Sequence, residues 1–142
     1  MTEPLAALSL HQPWAELIAL GVKKHETRRW RYPHRLHGKR IVIHAAKRPL
    51  RRSEIAPELW ERLKHLDLSF GAFLLTARLA GCYRTDETVP KSRLDYLAGD
   101  WSPGRFAWVL ADVQRLAAPI PATGRQSLWS VPSELIEGDH RP

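Results

Sequence analysis

The chain has 142 residues and a net charge of +7, with 22 Lys and Arg against 15 Asp and Glu. This length suits one domain that folds without disulfides or a structural metal, which we expect to span residues 1–137 and to leave a frayed tail over residues 138–142. The one cysteine, Cys82, excludes an intramolecular disulfide and any multi-cysteine zinc site, and it fits a reducing cytoplasm.

The amino-terminal residues, MTEPLAALSL, predict neither a signal peptide nor a membrane span, because they lack a basic stretch and a long apolar core. We therefore expect a cytoplasmic protein. A first strand is predicted over Ala6–Leu10. A short helix follows from about Gln12, where Pro13 suits the first turn, and ends at Gly21. Its apolar face carries Trp14, Leu17 and Ile18.

The next segment, residues 23–31, alternates like a strand but has two polar faces. One face carries Lys23, His25, Thr27, Arg29 and Arg31, and the other carries Lys24, Glu26, Arg28 and Trp30. Such a strand is typical of a sheet edge, where charges prevent aggregation. It is equally compatible with the wall of a wet, cationic cleft, and both interpretations remain open at this point.

Charge is distributed unevenly, which favours the cleft. Residues 1–52 contain 12 Lys and Arg against 3 Asp and Glu, whereas residues 53–142 contain 10 against 12. A concentrated positive charge recruits polyanions, of which nucleic acid is the commonest. A membrane surface is the competing partner, but the basic residues do not lie on one face of a long amphipathic helix. We therefore predict RNA or another nucleic acid as the partner, and no membrane.

Further elements follow in the chain. Residues 39–46 predict a strand, and a helix begins at Ser53 or at Pro57, with apolar residues at spacings of four, four and three. Residues 71–83 and 105–113 predict two more strands with apolar rows. Between these strands, residues 84–104 are rich in Thr, Asp, Ser, Pro and Gly, which predicts a long surface loop. Residues 119–132, with prolines around Gly124, predict an irregular segment that closes over a site.

A family resemblance is carried by ordered motifs over nearly the whole chain. They are Ser9 to Ala15, Leu17, Ile18, Gly21, Lys23, Glu26, Arg28 and Trp30, then His44 to Lys47, then Gly104 and Phe106 to Val109, then Gly124, Gln126, Leu128 and Trp129. These residues resemble the ASCH domain (activating signal cointegrator homology), a branch of the PUA-like superfamily. The resemblance implies an α+β fold, a small β-barrel of mixed, mostly antiparallel strands with flanking short helices. It also implies a cleft lined by the motif residues and an association with RNA or DNA.

Individual residue types fit a nucleic-acid cleft. Lys23 and Arg28 can bind phosphate, Lys as a point charge and Arg as a bidentate fork. Glu26 can accept hydrogen bonds from the amino group of a base, or it can be only a salt-bridge partner. Trp30 can stack on an unpaired base, while Trp14 fits core packing as well. The predicted nucleic-acid-binding residues are Gln12, Trp14, Lys23, Glu26, Arg28, Trp30, His44, Lys47, Arg48, Arg51, Arg52, Gln126 and Trp129.

An enzymatic alternative comes from the same resemblance. One ASCH-like branch resembles amidohydrolases that cleave N4-acylated cytidine with a Lys, a Thr three residues later and a downstream Glu. Lys23 matches the first, but position 26 is Glu, and Thr27 should point to the other face of a strand. If the chain is an enzyme, Lys23 and Glu26 are the predicted catalytic residues. Ribonuclease activity is also attributed to the family, and Lys23 with His25 or His44 could supply the acid and the base.

No metal or cofactor is predicted. His34 and His37 are three residues apart in a loop flanked by Pro and Gly, but no ordered set of carboxylates or cysteines accompanies them. The chain has no Gly-rich phosphate loop and no nucleophile elbow. The sequence does not determine the oligomeric state, nor whether the ligand is RNA, DNA or a modified nucleoside.

Overall fold

A computed structural model of the protein describes residues 3–137, which form one mixed six-stranded sheet with short helices. The strands are β1 (Leu5–Leu10), β2 (His25–Arg28), β3 (Arg40–Ala45), β4 (Ala72–Arg84), β5 (Phe106–Pro121) and β6 (Leu128–Val131). The helices are α1 (Trp14–Ala19), α2 (Pro57–Leu63), α3 (Arg93–Leu97) and α4 (Ser133–Glu137), and three short 3₁₀ turns connect other elements. The predicted frayed tail, residues 138–142, lies outside the described residues.

The strand order is β2-β5-β4-β3-β1-β6. Only β1 and β3 pair in parallel, and the other pairs are antiparallel. The predicted α+β class with mixed, mostly antiparallel strands is therefore confirmed. Its closure into a barrel is not, because β2 and β6 are the two edges of the sheet and no pairing joins them within residues 3–137.

Alternating apolar residues place side chains on both faces of the sheet. In β3, Ile41 and Ile43 belong to one buried cluster with Leu75 and Trp108, whereas Val42 belongs to a second cluster with Phe73. This alternation is the period-two pattern read from the sequence. Both faces are therefore covered at β3, which is buried from Ile41 to Ala45, and the edge strand β2 is held on this sheet by its pairing with β5.

Three departures from the predicted elements bear on the site. The charged strand is short, because only His25–Arg28 pairs with β5. The predicted loop over residues 84–104 contains α3, whose first turn is capped by the Ser92 hydroxyl accepting from the backbone N–H of Asp95 at 3.0 Å. The irregular segment 119–132 contains the end of β5 and all of β6. Of the two predicted starts of α2, Pro57 is the observed one.

Candidate nucleic-acid interface

Two adjoining cavities open beside the ends of β1 and β2. The first has a volume of about 710 Å³ and extends to residues 97–100 after α3. The second has a volume of about 640 Å³ and extends to residues 123–127 before β6. Both are lined by Ser9, His11, Arg28, Trp30 and Ala46, so they form one continuous cleft with a shared junction.

A buried carboxylate between two cations forms the wall of the first cavity. Glu26 Oε2 accepts a hydrogen bond from Arg28 Nε at 2.8 Å, and Glu26 Oε1 lies 3.5 Å from Lys23 Nζ. Lys23 Nζ also donates to the carbonyl oxygen of Ala98 at 2.6 Å. Lys23 is 2% exposed and Glu26 is 7% exposed. The three side chains therefore form one group, in which two basic residues flank a single buried carboxylate.

Burial governs the charge of Lys23. Removal from water lowers the pKa of the Lys23 ammonium from its ordinary value, and the nearby Glu26 carboxylate opposes part of that shift. Arg28, by contrast, remains half-buried at the mouth of the cavity. At this wall of the first cavity, a ligand thus meets the Glu26 carboxylate, the desolvated Lys23 ammonium and the Arg28 guanidinium, which has access to solvent.

The contact between Lys23 and Glu26 differs from the alternating pattern of the sequence, which placed them on opposite faces. Lys23 precedes the strand, since β2 begins at His25. Gly21, with a φ of +78°, follows helix α1, and the backbone N–H of Lys23 donates to the carbonyl oxygen of Leu17 at 3.0 Å. This turn directs the Lys23 side chain into the same cavity as Glu26.

On the opposite face of β2, His25 and Asp95 form a hydrogen-bonded pair. This pair anchors the far wall of the first cavity, which is formed by residues 97–100. His25 Nδ1 donates to Asp95 Oδ2 at 2.7 Å, and both residues are buried. Asp95 also accepts from the backbone N–H groups of Lys24, His25 and Lys91. His25 does not line the cleft, so the structure gives no support to His25 as the acid or base of a ribonuclease. Asp95 instead fixes the segment that carries Ala98.

Two tryptophans, Trp30 and Trp14, line the cleft and differ in their exposure. Trp30 is 47% exposed, lines both cavities, and has the Arg28 guanidinium 5.8 Å from its ring centroid. Its carbonyl oxygen accepts a hydrogen bond from Trp108 Nε1 at 3.0 Å, which fixes the backbone. Trp14 is half-buried; it lines the first cavity while also packing on two core clusters. Trp30 is therefore the ring that is free to stack on a ligand.

The predicted basic track is divided by the fold. Lys47 is exposed and lines the second cavity, and Arg48 lines the first while pairing with Glu54 at 2.8 Å. Arg51 and Arg52 do not line the cleft. Arg52 lies over the Trp60 ring at 4.8 Å and donates to the carbonyl oxygen of Ile55, while Arg51 is exposed. The prediction that both extend the cleft finds no support, because α2 draws Arg52 to its own side.

The remaining predicted residues have mixed outcomes. Gln12 is 1% exposed and uses both ends of its amide inside the protein: Nε2 donates to Ser69 O and Oε1 accepts from the backbone of Glu16. It does not line the cleft. Gln126 is exposed in the second cavity. Trp129 packs against His44 with ring centroids 5.9 Å apart and lines a separate cavity, so it does not cap the cleft.

His44 is buried at the back of the second cavity and contacts Ser9 across the parallel β1–β3 pair. A Cβ on Gly124 would come within 2.7 Å of both Ser9 Oγ and His44 Nδ1, so only glycine lets segment 122–127 pack this closely. Sequence reasoning named Ser9 in a motif but gave it no role, because a serine in an apolar strand carries no signal of its own. His11 and Arg125 also line the cleft without having been predicted.

Thr27 also lines the first cavity, and its side chain lies against Gly99. Its hydroxyl accepts from the backbone N–H of Asp100 at 2.9 Å, which fixes the far wall.

No cluster of three or more His, Cys, Asp or Glu side chains suited to a metal occurs in residues 3–137. Over the same range, none of the helices has the length and hydropathy needed to cross a membrane.

Comparison with known proteins finds relatives both among curated sequences and among solved structures. The chain is 27% identical over 136 residues to activating signal cointegrator 1 of Mus musculus and of Homo sapiens, covering 92% of this chain but only 23% of each relative. It therefore spans about a quarter of the length of these relatives. Among solved structures it is similar to ASCH from Zymomonas mobilis, at 20% identity and a TM-score of 0.60, with 93% of this chain and 90% of that chain covered.

A point variant of that bacterial protein gives a TM-score of 0.56 at 18% identity, with 96% of each chain covered. These identities are low, so the structures support the fold alone. The family assignment has a separate basis, since the sequence model of the ASCH domain matches residues 8–120. That range includes the whole Lys23–Glu26–Arg28 group and the β3 strand with His44. The chain belongs to the ASCH domain family.

Proposed function

We propose that this chain binds single-stranded RNA, holding one unpaired or modified base in the first cavity and adjacent phosphates in the second. The observation that carries the proposal is the buried Glu26 carboxylate, fixed between Lys23 and Arg28 in a cavity of about 710 Å³. Ligand pockets of small molecules have volumes of about 300–1,000 Å³, so an extruded base and its sugar fit this space.

Glu26 suits recognition of a base edge. A carboxylate has about four lone-pair sites, and the two cations occupy only some of them. The remaining sites accept hydrogen bonds from an exocyclic amino group, which cytosine and adenine have and uracil lacks. Trp30, exposed at the junction, adds a stacking surface worth about 1–3 kcal/mol per base. Base identity is thus read by Glu26, and base binding is strengthened by Trp30.

The second cavity suits phosphate. Arg28, Lys47 and Arg125 line it, and no Asp or Glu of residues 3–137 does. Lys47 and Arg125 also form no ion pair with a carboxylate in that part of the chain. Cations without a carboxylate partner are available to an incoming anion, and such contacts position a strand without reading its sequence. The predicted cytoplasmic location agrees with this partner and stays a prediction.

The proposal predicts that variants of the two cavities differ in effect. We expect Glu26→Gln to change the preference among cytosine, adenine and uracil, measured by fluorescence anisotropy on labelled RNA strands. We expect the Lys47→Ala/Arg125→Ala double variant to weaken all sequences alike and to reduce the salt slope by about 1.4, since each phosphate contact on a single strand contributes roughly 0.7.

The matched control is Arg62→Ala/Lys64→Ala, which removes the same number of charges from two exposed positions, one in α2 and one directly after it, outside the cleft. It should leave the salt slope nearly unchanged, because its charges make no direct phosphate contact. Equal effects of the cleft variant and the α2 variant would contradict the phosphate role. An unaltered base preference in Glu26→Gln would contradict the base-reading role.

A hydrolase is the second candidate, acting on N4-acylcytidine or on RNA, and the desolvated Lys23 beside Glu26 favours it. A lysine with a lowered pKa is a more available base near neutral pH. If the protein is a hydrolase, we expect Lys23→Met to abolish turnover of N4-acetylcytidine or of a short RNA strand. Mass spectrometry of both substrates measures this turnover. Two unchanged substrates with the wild-type protein would leave binding as the function.

A further inference from the structure

The hydrogen bonds of His44 determine which way the Ser9 hydroxyl points. His44 is 1% exposed, its Nε2 lies 2.7 Å from the carbonyl oxygen of Ala122, and its Nδ1 lies 2.9 Å from Ser9 Oγ. A carbonyl oxygen only accepts, so Nε2 must carry the hydrogen. In the neutral imidazole, Nδ1 is then an acceptor, and the Ser9 hydroxyl donates its single hydrogen to it.

The imidazole is held firmly in this orientation. Phe73 and Trp129 contact its ring edge-on, with centroids 5.4 and 5.9 Å away, and the backbone at Gly124 packs closely against its Cε1 and Nδ1 atoms. Because the only hydrogen of the Ser9 hydroxyl is committed to His44, Ser9 Oγ has only lone pairs left for a ligand. It will therefore accept a hydrogen bond from a ligand group that donates, and it cannot donate one.

Ser9 occupies the junction of the cleft, since it lines both cavities. In a nucleotide, the sugar lies between the base and the phosphate. A ligand with its base in the first cavity, against Glu26, and its phosphate in the second, near Lys47 and Arg125, therefore places its sugar at this junction. The ribose 2′-hydroxyl is a hydrogen-bond donor there, and deoxyribose has no such group.

We propose that Ser9, oriented by His44, accepts a hydrogen bond from the ribose 2′-hydroxyl and so makes the cleft selective for RNA over DNA. The proposal rests on the proposed function, because it requires the base and the phosphate to occupy the two cavities. His44 is a positioning residue in this arrangement, acting through Ser9. The cleft then selects for a 2′-substituent that donates a hydrogen bond, and a 2′-substituent that cannot donate does not satisfy it.

The test compares three strands of one sequence: RNA, DNA and 2′-fluoro RNA, each titrated against the wild-type protein. The 2′-fluoro sugar keeps the RNA-like ring conformation but lacks a donor. We expect RNA to bind about five-fold more tightly than DNA, the effect of one net hydrogen bond, and 2′-fluoro RNA to bind about as weakly as DNA. In Ser9→Ala, RNA binding should fall to the DNA level while DNA binding is unchanged.

The control variant is Ser130→Ala, which removes a hydroxyl exposed on β6 and outside both cavities, and it should keep the five-fold difference. Equal binding of RNA and DNA, or 2′-fluoro RNA binding as tightly as RNA, would overturn the inference and leave the proposed function standing. No binding of any strand would overturn both. If Ser9→Ala does not fold, the three strands with the wild-type protein still test the requirement for a 2′-hydroxyl donor, on which the inference depends.

Discussion

Asp95→Asn is expected to lower the free energy of unfolding by about 3 kcal/mol, the typical effect of breaking a buried and fully hydrogen-bonded charge. Asp95 is completely buried, and its carboxylate accepts from His25 Nδ1 and from three backbone N–H groups. An asparagine has one acceptor oxygen in place of two, and its amide N–H groups would face donors. The measurement is urea unfolding followed by tryptophan fluorescence at pH 7.

The contribution of Asp95 should also depend on pH. Burial alone would raise the pKa of its carboxyl, but the hydrogen bonds from His25 and from the backbone of Lys91 and Lys24 outweigh burial and hold the pKa below 3.8. The stabilisation is therefore present above the ordinary pKa and is lost as the pH falls through the lower folded value. Asp95→Asn should unfold with a weaker dependence on pH in this acidic range.

Asp86→Asn provides the matched control, because Asp86 is exposed and pairs only with Arg84 on the surface. We expect that change to leave the free energy of unfolding nearly unaltered, because an exposed ion pair contributes little to stability. A similar loss in the two variants, or no loss in Asp95→Asn, would show that the carboxylate does not anchor residues 91–100. The result matters for the site because Ala98, which receives the Lys23 hydrogen bond, belongs to that segment.

The sequence predicted those parts of the fold in which local pattern and burial agree. The apolar alternation of β3 and the position of β4 follow from period two, and Pro57 marks the true start of α2. Helix α3 and strand β6 were missed. Both are short, and their stability comes from contacts distant in sequence, such as the pairing of β6 with β1. Closure of the sheet depends on contacts of that kind and could not be derived.

The candidate site was predicted in part for the same reason. Lys23, Glu26, Arg28 and Trp30 do line one cavity, because the motif concentrates them in eight residues. The alternating pattern nevertheless assigned Lys23 to the wrong face, since it could not show that the strand begins two residues later. The sequence also does not distinguish an arginine that forms an ion pair with a carboxylate from one that has no such partner.

Glu26→Met is expected to lower the free energy of unfolding by about 3 kcal/mol, because it leaves Lys23 as a buried cation without its carboxylate. Arg28 is affected less, since it is half-buried and can turn to solvent. The Lys23→Met/Glu26→Met double variant removes both charges and should recover at least about 1 kcal/mol relative to the single variant. Urea unfolding of the wild type, both single variants and the double variant completes the cycle.

The pH dependence separates lost charge compensation from lost packing. Burial already lowers the pKa of Lys23 below 10.5, and removal of Glu26 takes away the largest interaction that raises it. Between the folded pKa and 10.5, the folded protein binds fewer protons than the unfolded chain, so the free energy of unfolding rises with pH in that range. The deficit of Glu26→Met relative to the double variant should therefore shrink as the pH rises toward 10. A deficit that stays constant with pH would mean that Glu26 stabilises the fold through packing and not by balancing the charge of Lys23. That result would also weaken the base-reading role, which depends on a Glu26 carboxylate held in place by its ion pairs.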